Sequence, residues 1–294
     1  MTYNEFKENI KKDIASVYSG ENRVIMQPVK KNNSVFLDAL IIQNEKSNIS
    51  PSIYLNGFFD LIKDGKPYDD ILKDIINVYE TYKTDLSFDT SRLLDFEYMK
   101  GKIAFKLINL NKNLELLDEV PFVRFLDLAI VFYYHIENMA GETGSILITD
   151  EMLSCLGIDL DTLYETALFN TPGLFPYTSR TISEVLASYL GNGTPCLPPD
   201  PLKMYVLSNN SCTFGACAIL YPGLLEKLSE KIGENLIILP SSIHEIIYLP
   251  ESEVSDINDI NELIVSVNET EVSASEYLSD HCYFYNAEEK RLSF

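Results

Sequence analysis

Tyr3, Phe6, Ile10, Ile14 and Val17 recur at three- and four-residue spacing, which predicts one amphipathic helix over residues 2–18. Two β-rich runs, 23–29 and 34–42, flank the polar turn Lys30-Lys31-Asn32-Asn33 and predict a hairpin. From there an order of strand, loop, strand and helix recurs three times. The first copy runs through 35–42, 52–55 and a helix after Asn56-Gly57. The second runs through 125–132, 145–148 and a helix entered at Thr149-Asp150. The third runs through 204–207, 216–221 and a helix entered at Pro222-Gly223. Thr-Asp and Pro are helix-entry residues, one by capping and the other by its fixed φ. The first two helical parts are also interrupted alike, by Gly65 and Pro67 and by Gly157. The pattern fits three degenerate ββα units, or chance matches of the kind any α+β chain yields.

Residues 91–100 read as helix, and the alternation of Ile103, Phe105 and Leu107 reads as strand. Residues 170–203 hold six prolines and read as irregular, with one short helix at 182–189. Two apolar strands follow at 235–240 and 244–249, joined by Ser241-Ser242. An acidic helix at 256–267, a short helix at 273–278 and a hairpin closing at 287–290 complete the chain. The fold class expected is α+β, with mixed or antiparallel sheets carrying helices on one face. Two lobes are expected, 1–120 and 121–294, or one continuous domain.

Composition is that of a globular chain, with 46% hydrophobic and 23% charged residues. Lys7, Lys11 and Lys12 interleave with acidic residues at the start, unlike a signal peptide, and no apolar run approaches a membrane span. Five cysteines, an odd number, argue for reduced cytoplasmic thiols rather than a disulfide framework. The net charge of −21 is uneven: residues 232–289 hold 13 carboxylates and no Lys or Arg. Such a surface repels nucleic acid and anionic membranes and suits a basic protein partner, or simply keeps the chain soluble.

Candidate chemistry is sparse. There is no phosphate loop, and Gly191-Asn192-Gly193 lacks the third glycine of a dinucleotide fingerprint. Cys212-x4-Cys217 with His281-Cys282 has non-standard zinc spacing, so no metal or other cofactor is expected. Cys217 with His244 is a conceivable dyad, but lone cysteines on apolar strands are mostly core. Asp38 and Asp127 each interrupt an apolar strand in a Phe-Leu-Asp context. A carboxylate on a core face must be paired or shift its pKa; alternatively it faces solvent or pairs with Arg124 or a lysine. Pro240-Ser241-Ser242-Ile243-His244 is a polar turn that offers hydroxyls and an imidazole to a ligand, or is only a hairpin turn. Tyr133-Tyr134-His135 is similarly open between packing and function. Asp127, Ser241, Ser242 and His244 are therefore the candidate ligand or partner site.

Four strings carry a resemblance: VPFVRFLDLAIV over 120–131, LYPG over 220–223, ILPSSIHE over 238–245, and VNETEV over 267–272 continuing to LSDH at 278–281. They resemble the domain of unknown function 5688, a clostridial family. The resemblance spans most of the chain and implies a cytosolic protein, but it transfers no catalytic residue. The leading expectation is a non-enzymatic cytoplasmic binding or regulatory protein acting through protein partners. The alternatives are a hydrolase using Asp127, Ser242 or His244, and an acidic decoy that mimics nucleic acid.

Overall fold

The computed structural model describes residues 1–20, 22–44, 47–48, 50–83, 92–137, 143–190 and 203–294. Gly191-Asn192-Gly193 and Cys196 lie outside them. No described helix is long and apolar enough to cross a membrane. The chain forms two compact units, Met1–Lys31 with Val35–Ser91, and Asn32–Ser34 with Arg92–Phe294. Val120 and Pro121, where the sequence reading divides the lobes, lead into a strand of the second unit.

The first unit is the helix α1 (Tyr3–Val17), the hairpin β1 (Asn22–Lys30) and β2 (Phe36–Asn44), the strand β3 (Ser52–Tyr54), and the helices α2 (Leu55–Lys63) and α3 (Tyr68–Tyr82). Thr2 and Glu5 close a reciprocal capping box, which satisfies two N–H groups at the start of α1. The three strands are antiparallel in the order β1-β2-β3. Leu40 and Ile42 stand opposite Met26 and Val24, and this one face packs with Phe6, Ile10, Ile71 and Ile75 of the helices. Asp38 shares that face and pairs with Lys7 at 3.1 Å, so its carboxylate serves to pair α1 with the sheet.

Among the described residues the second unit carries the short helices α4 (Phe96–Met99) and α5 (Leu114–Leu117) and two antiparallel sheets. One sets the central β6 (Leu128–Glu137) between β4 (Ile103–Asn109) on one side and β5 (Phe122–Phe125) and β7 (Thr143–Leu147) on the other. The other has six strands, with β8 (Tyr177–Thr181), β9 (Tyr205–Asn209), β10 (Leu236–Pro240), β11 (Ile246–Pro250), β12 (Tyr283–Asn286) and β13 (Arg291–Ser293) in the order β13-β12-β10-β11-β9-β8. The sheets share a core in which Phe105 and Phe132 meet Leu207, Ile238 and Tyr248. Strand β10 alternates within burial: Leu236 and Ile238 face that core, while Ile237 and Leu239 face a second cluster with Ile264 of the helix α10 (Ile257–Thr270). Both faces of β10 are thus covered, which is why it reads as a continuous apolar run.

All three sheets are antiparallel, with helices against them, as an α+β chain requires. The order strand, strand, helix forms in the first two of the three expected places, as β2-β3-α2 and, with its first strand at 128–137 rather than 125–132, as β6-β7 with α6 (Asp150–Leu156). Thr149 caps α6, and Gly157, at φ 69°, ends it before α7 (Leu160–Leu174).

The third unit is corrected. Gly215–Leu220 is a 3-10 helix, not a strand, and leads to α9 (Leu224–Ile232). Small side chains let this tight helix lie buried against β4 and β9. Three other expectations also change. Residues 125–132 are not one strand: β5 turns at Leu126-Asp127 into β6, with Leu126 at φ 54°. Residues 273–278 form a single turn rather than a helix. Within 170–190 the chain is ordered as the end of α7, the edge strand β8 and α8 (Ile182–Leu190).

Gly215 is held by contact rather than by a special φ. A Cβ there would lie 2.3 Å from the Ser208 hydroxyl, 2.5 Å from the His244 carbonyl oxygen and 2.7 Å from the Asn209 nitrogen. Two of these atoms are backbone and cannot step aside. Gly215→Ala is expected to destabilise the protein by about 2 kcal/mol or more through overpacking. Gly144→Ala, with open space around it, should stay within about 0.5 kcal/mol of the native chain. Urea unfolding midpoints of the two variants check this.

Candidate functional site

The chemistry-bearing side chains of the second unit gather along one irregular segment, residues 273–282, which links α10 to β12. Lacking a sheet partner, its backbone polar groups must be satisfied by other means. Amide side chains do this. Asn32 donates to the Ser275 carbonyl, and Asn33 donates to those of Ala274 and Tyr277. Asn109 donates to the Leu278 carbonyl and Asn268 to that of Ser279, each at 2.9 Å. Asn261 accepts from the Cys282 N–H, and the Ile243 N–H donates to the Glu276 carbonyl. The fully buried Asn113 donates to Asn33 Oδ1 and accepts from the Asn33 N–H, which fixes Asn33 in the left-handed region at φ 59°.

Asp127 anchors the far end of this strap. It lies in the β5–β6 turn, where the Phe-Leu-Asp context reads as strand. Its two oxygens accept from the Ser279 hydroxyl and the Tyr283 phenol, both at 2.7 Å. Arg124 bonds the Leu126 carbonyl instead. Burial, reinforced by the charge of Asp127, pushes the Tyr283 phenol far above its ordinary range, so it keeps its proton and donates it to the carboxylate. His281 completes the group: its Nδ1 lies 2.8 Å from Asp280 Oδ1, and its buried Nε2, with no hydrogen bond, lies 3.7 Å from Asp127 Oδ1. A carboxylate only accepts, so Nδ1 carries a proton.

Serine, histidine and aspartate thus meet here, but not as a nucleophile and its base. Ser279 is fully buried, and its hydroxyl proton is directed at Asp127 rather than at the imidazole.

His244 and Ser242 sit at the other end of the strap, in the β10–β11 turn. The Phe214 N–H donates to His244 Nδ1 at 3.1 Å, and the Phe214 ring stacks on the imidazole. Nδ1 is therefore the acceptor, and Nε2–H faces the Glu276 carboxylate at 3.7 Å. The Ser242 hydroxyl accepts from the His244 N–H, a local turn bond, and Ser241 is half-buried beside it. Asp127 thus joins Ser279, Tyr283 and His281, while Ser242 and His244 join Phe214 and Glu276. Cys217 lies buried in the 3-10 helix, its thiol pushed up to about 12 by burial, which leaves it no thiolate at neutral pH. Tyr133 and Tyr134 are core, and His135 packs on Phe175. Among the described residues, no three His, Cys, Asp or Glu side chains are grouped to hold a metal ion.

Next to His281 a cleft of about 560 Å³ opens between α10 and β12, lined by Ile237, Val254, Ile257, Phe284 and Phe294 with Asn261 at its side. Sequence reasoning missed Ser279, Tyr283 and Glu276, which lie more than 100 residues from Asp127 or on unremarkable polar positions. The one signal was the LSDH string at 278–281.

Residues 3–287 match the family of unknown function DUF5688, and the chain belongs to that family. Neither a curated protein nor a solved structure matches it.

Two outcomes follow from the site. Asp127→Asn keeps the shape but replaces one of the two accepting oxygens by a donor NH2, so that one hydrogen bond is lost and the other loses its charge assistance, and should cost about 1.5–3 kcal/mol. Thermal unfolding of Asp127→Asn beside Tyr283→Phe checks it; an unchanged midpoint would contradict the anchoring role.

Burial holds His244 below its ordinary 6.5, and Lys106 adds to this, while Glu276 and Glu245 act against it. Protonating Nδ1 would also break the Phe214 bond. The unfolded chain therefore takes up this proton first. The stability contributed by neutral His244 is present above about pH 6.5 and is lost as pH falls through that value towards the lower folded one. His244→Asn should lose less stability than the native chain between about pH 7 and pH 5, read from urea midpoints at each pH.

Proposed function

We propose that the chain is a non-enzymatic binding or regulatory protein of the cytoplasm that acts through protein partners, a basic protein foremost. One observation carries this reading: the side chains able to do chemistry are already committed to holding the strap. Ser279 and Tyr283 donate to Asp127, His244 accepts from Phe214, and Ser242 closes its own turn. A hydrolase using Asp127, Ser242 or His244 needs them converging on one pocket with an available proton acceptor, and their bonds run to different partners.

Only four of the 13 carboxylates within 232–289 (Glu234, Glu245, Glu253 and Glu276) are drawn partly inside, and the rest are exposed to a partner. A decoy for nucleic acid calls for an unbroken anionic row, whereas here Leu263, Val265 and Val267 stand exposed among the carboxylates. That mixture suits a protein surface.

The test is affinity capture by the full tagged chain from its host lysate at about 0.1 M and about 0.5 M salt. A discrete protein retained at the lower salt and released at the higher is the expected result. Capture of nothing at either salt would overturn the reading.

A further inference from the structure

Helix α10 carries polar side chains on its inward face and apolar ones on its exposed surface, beside the usual core and solvent positions. Its inward face carries Asn261 and Asn268, two turns apart, which hold the strap at Cys282 and Ser279. Of its large apolar residues only Ile264 is buried, with Ile260 half-buried beside it. Ile257, Leu263, Val265 and Val267 are 42%, 50%, 41% and 37% exposed, four of the 15 exposed large apolar side chains among the described residues. Valine and isoleucine are weak helix formers, so helix propensity does not account for them on an outer face.

Asp259, Glu262 and Glu269 are exposed between these apolar residues, and α10 has no Lys or Arg. Asn261 lines both the cleft beside His281 and a shallower hollow of about 330 Å³ over Glu262, Val265, Ser266 and Glu269. Apolar footholds and carboxylates therefore form one continuous surface. Its charge selects the occupant: every ionisable group on the helix is an acid, so a matching segment carries Lys or Arg between its apolar side chains.

We propose that this outer face of α10, with the adjoining cleft, docks a basic amphipathic segment of a protein partner. Apolar side chains of the segment meet Val265 and the mouth of the cleft, and its cations pair with Asp259, Glu262 and Glu269. The proposal rests on the binding-protein reading above and names its surface.

The probe is a fluorescein-labelled synthetic helix with Lys and Leu at heptad spacing, and a second peptide with Glu in place of Lys, titrated with the full chain by fluorescence anisotropy. The Lys peptide should bind and the Glu peptide should not. Glu262→Gln/Glu269→Gln should weaken binding about tenfold and Val265→Ser about threefold. Glu288→Gln/Glu289→Gln, the same charge change in the β12–β13 turn, should weaken it less than about twofold. Equal losses in the two charge variants would reduce the effect to diffuse attraction and overturn the proposal, as would absence of binding. All these positions are exposed, and a melting curve of each variant verifies folding. If the α10 charge variant captured the lysate partner as well as the native chain does, the docking face would be wrong and the binding reading would stand. If the native chain captured nothing, the binding reading itself would fall.

Discussion

A backbone that runs partly buried without a ladder must find donors and acceptors elsewhere, and in this protein that constraint falls on residues 273–282. The strap crosses the second unit with no sheet partner, yet the carbonyls of Ala274, Ser275, Tyr277, Leu278 and Ser279 are each bonded to an asparagine side chain. A primary amide suits this work because it donates twice and accepts as well, as Asn113 and Asn33 do towards each other. Each bond contributes only about 1 kcal/mol net, but leaving one of these carbonyls unmet would cost more than that. The strap therefore forces neighbouring positions to stay polar: 32 and 33, 109 and 113, 261 and 268.

Asp127 belongs to the same solution. Its charge strengthens the bonds from Ser279 and Tyr283, and its own carbonyl accepts from the Leu110 N–H, so one turn residue ties the β5–β6 hairpin, the end of β4 and the strap together. The cost is visible next to it, where Leu126 takes a left-handed conformation that a side chain disfavours. Strained residues persist only where the surroundings fix them, and they often mark catalytic loops. Here the fixing serves attachment, because each oxygen of the side chain carried by the turn already accepts a hydrogen bond from the strap or from β12.

Much of the fold was legible because it is local. The stripe of Phe6, Ile10 and Ile14, the Thr149 cap and the Gly157 stop each act within a few residues. The losses share one cause, a long-range packing choice that local pattern does not encode. An apolar run at 216–221, small only in its first three residues, suits a strand or a tight helix equally, and the room against β4 and β9 decides for the helix. Strand β8, Tyr-Thr-Ser-Arg-Thr, lacks alternation because it sits at the sheet edge with every side chain half-buried. Asp127 stands out in the sequence as a carboxylate on an apolar strand, which must be paired if it faces a core. Which partners it has depended on a segment some 150 residues away, and no spacing rule reaches that far.

The charges of α10 resist an explanation from the helix alone. Asp256 caps its first turn and Asp259 lies within that turn, where an acid complements the macrodipole. Glu269 stands in the last turn and Glu271 follows it, where the dipole calls for a cation, and that turn holds no basic residue. Each misplaced acid opposes the helix by about 0.3–1 kcal/mol at low salt, and β-branched Val265 and Val267 on the outer face weaken it further. Solubility accounts for carboxylates, but not for apolar side chains exposed among them. The inward asparagines explain why apolar residues are absent from part of the buried face, since Asn261 and Asn268 must reach the strap. They do not explain why valine and leucine, rather than lysine and alanine, occupy the outside. A cationic surface laid on α10 would remove both penalties together, covering the valines and neutralising the C-terminal acids. This links the polar pinning of the strap to the proposed docking surface: the helix face turned inward is fixed by the hydrogen bonds of its neighbour, which leaves the outer face free to carry apolar and acidic side chains together.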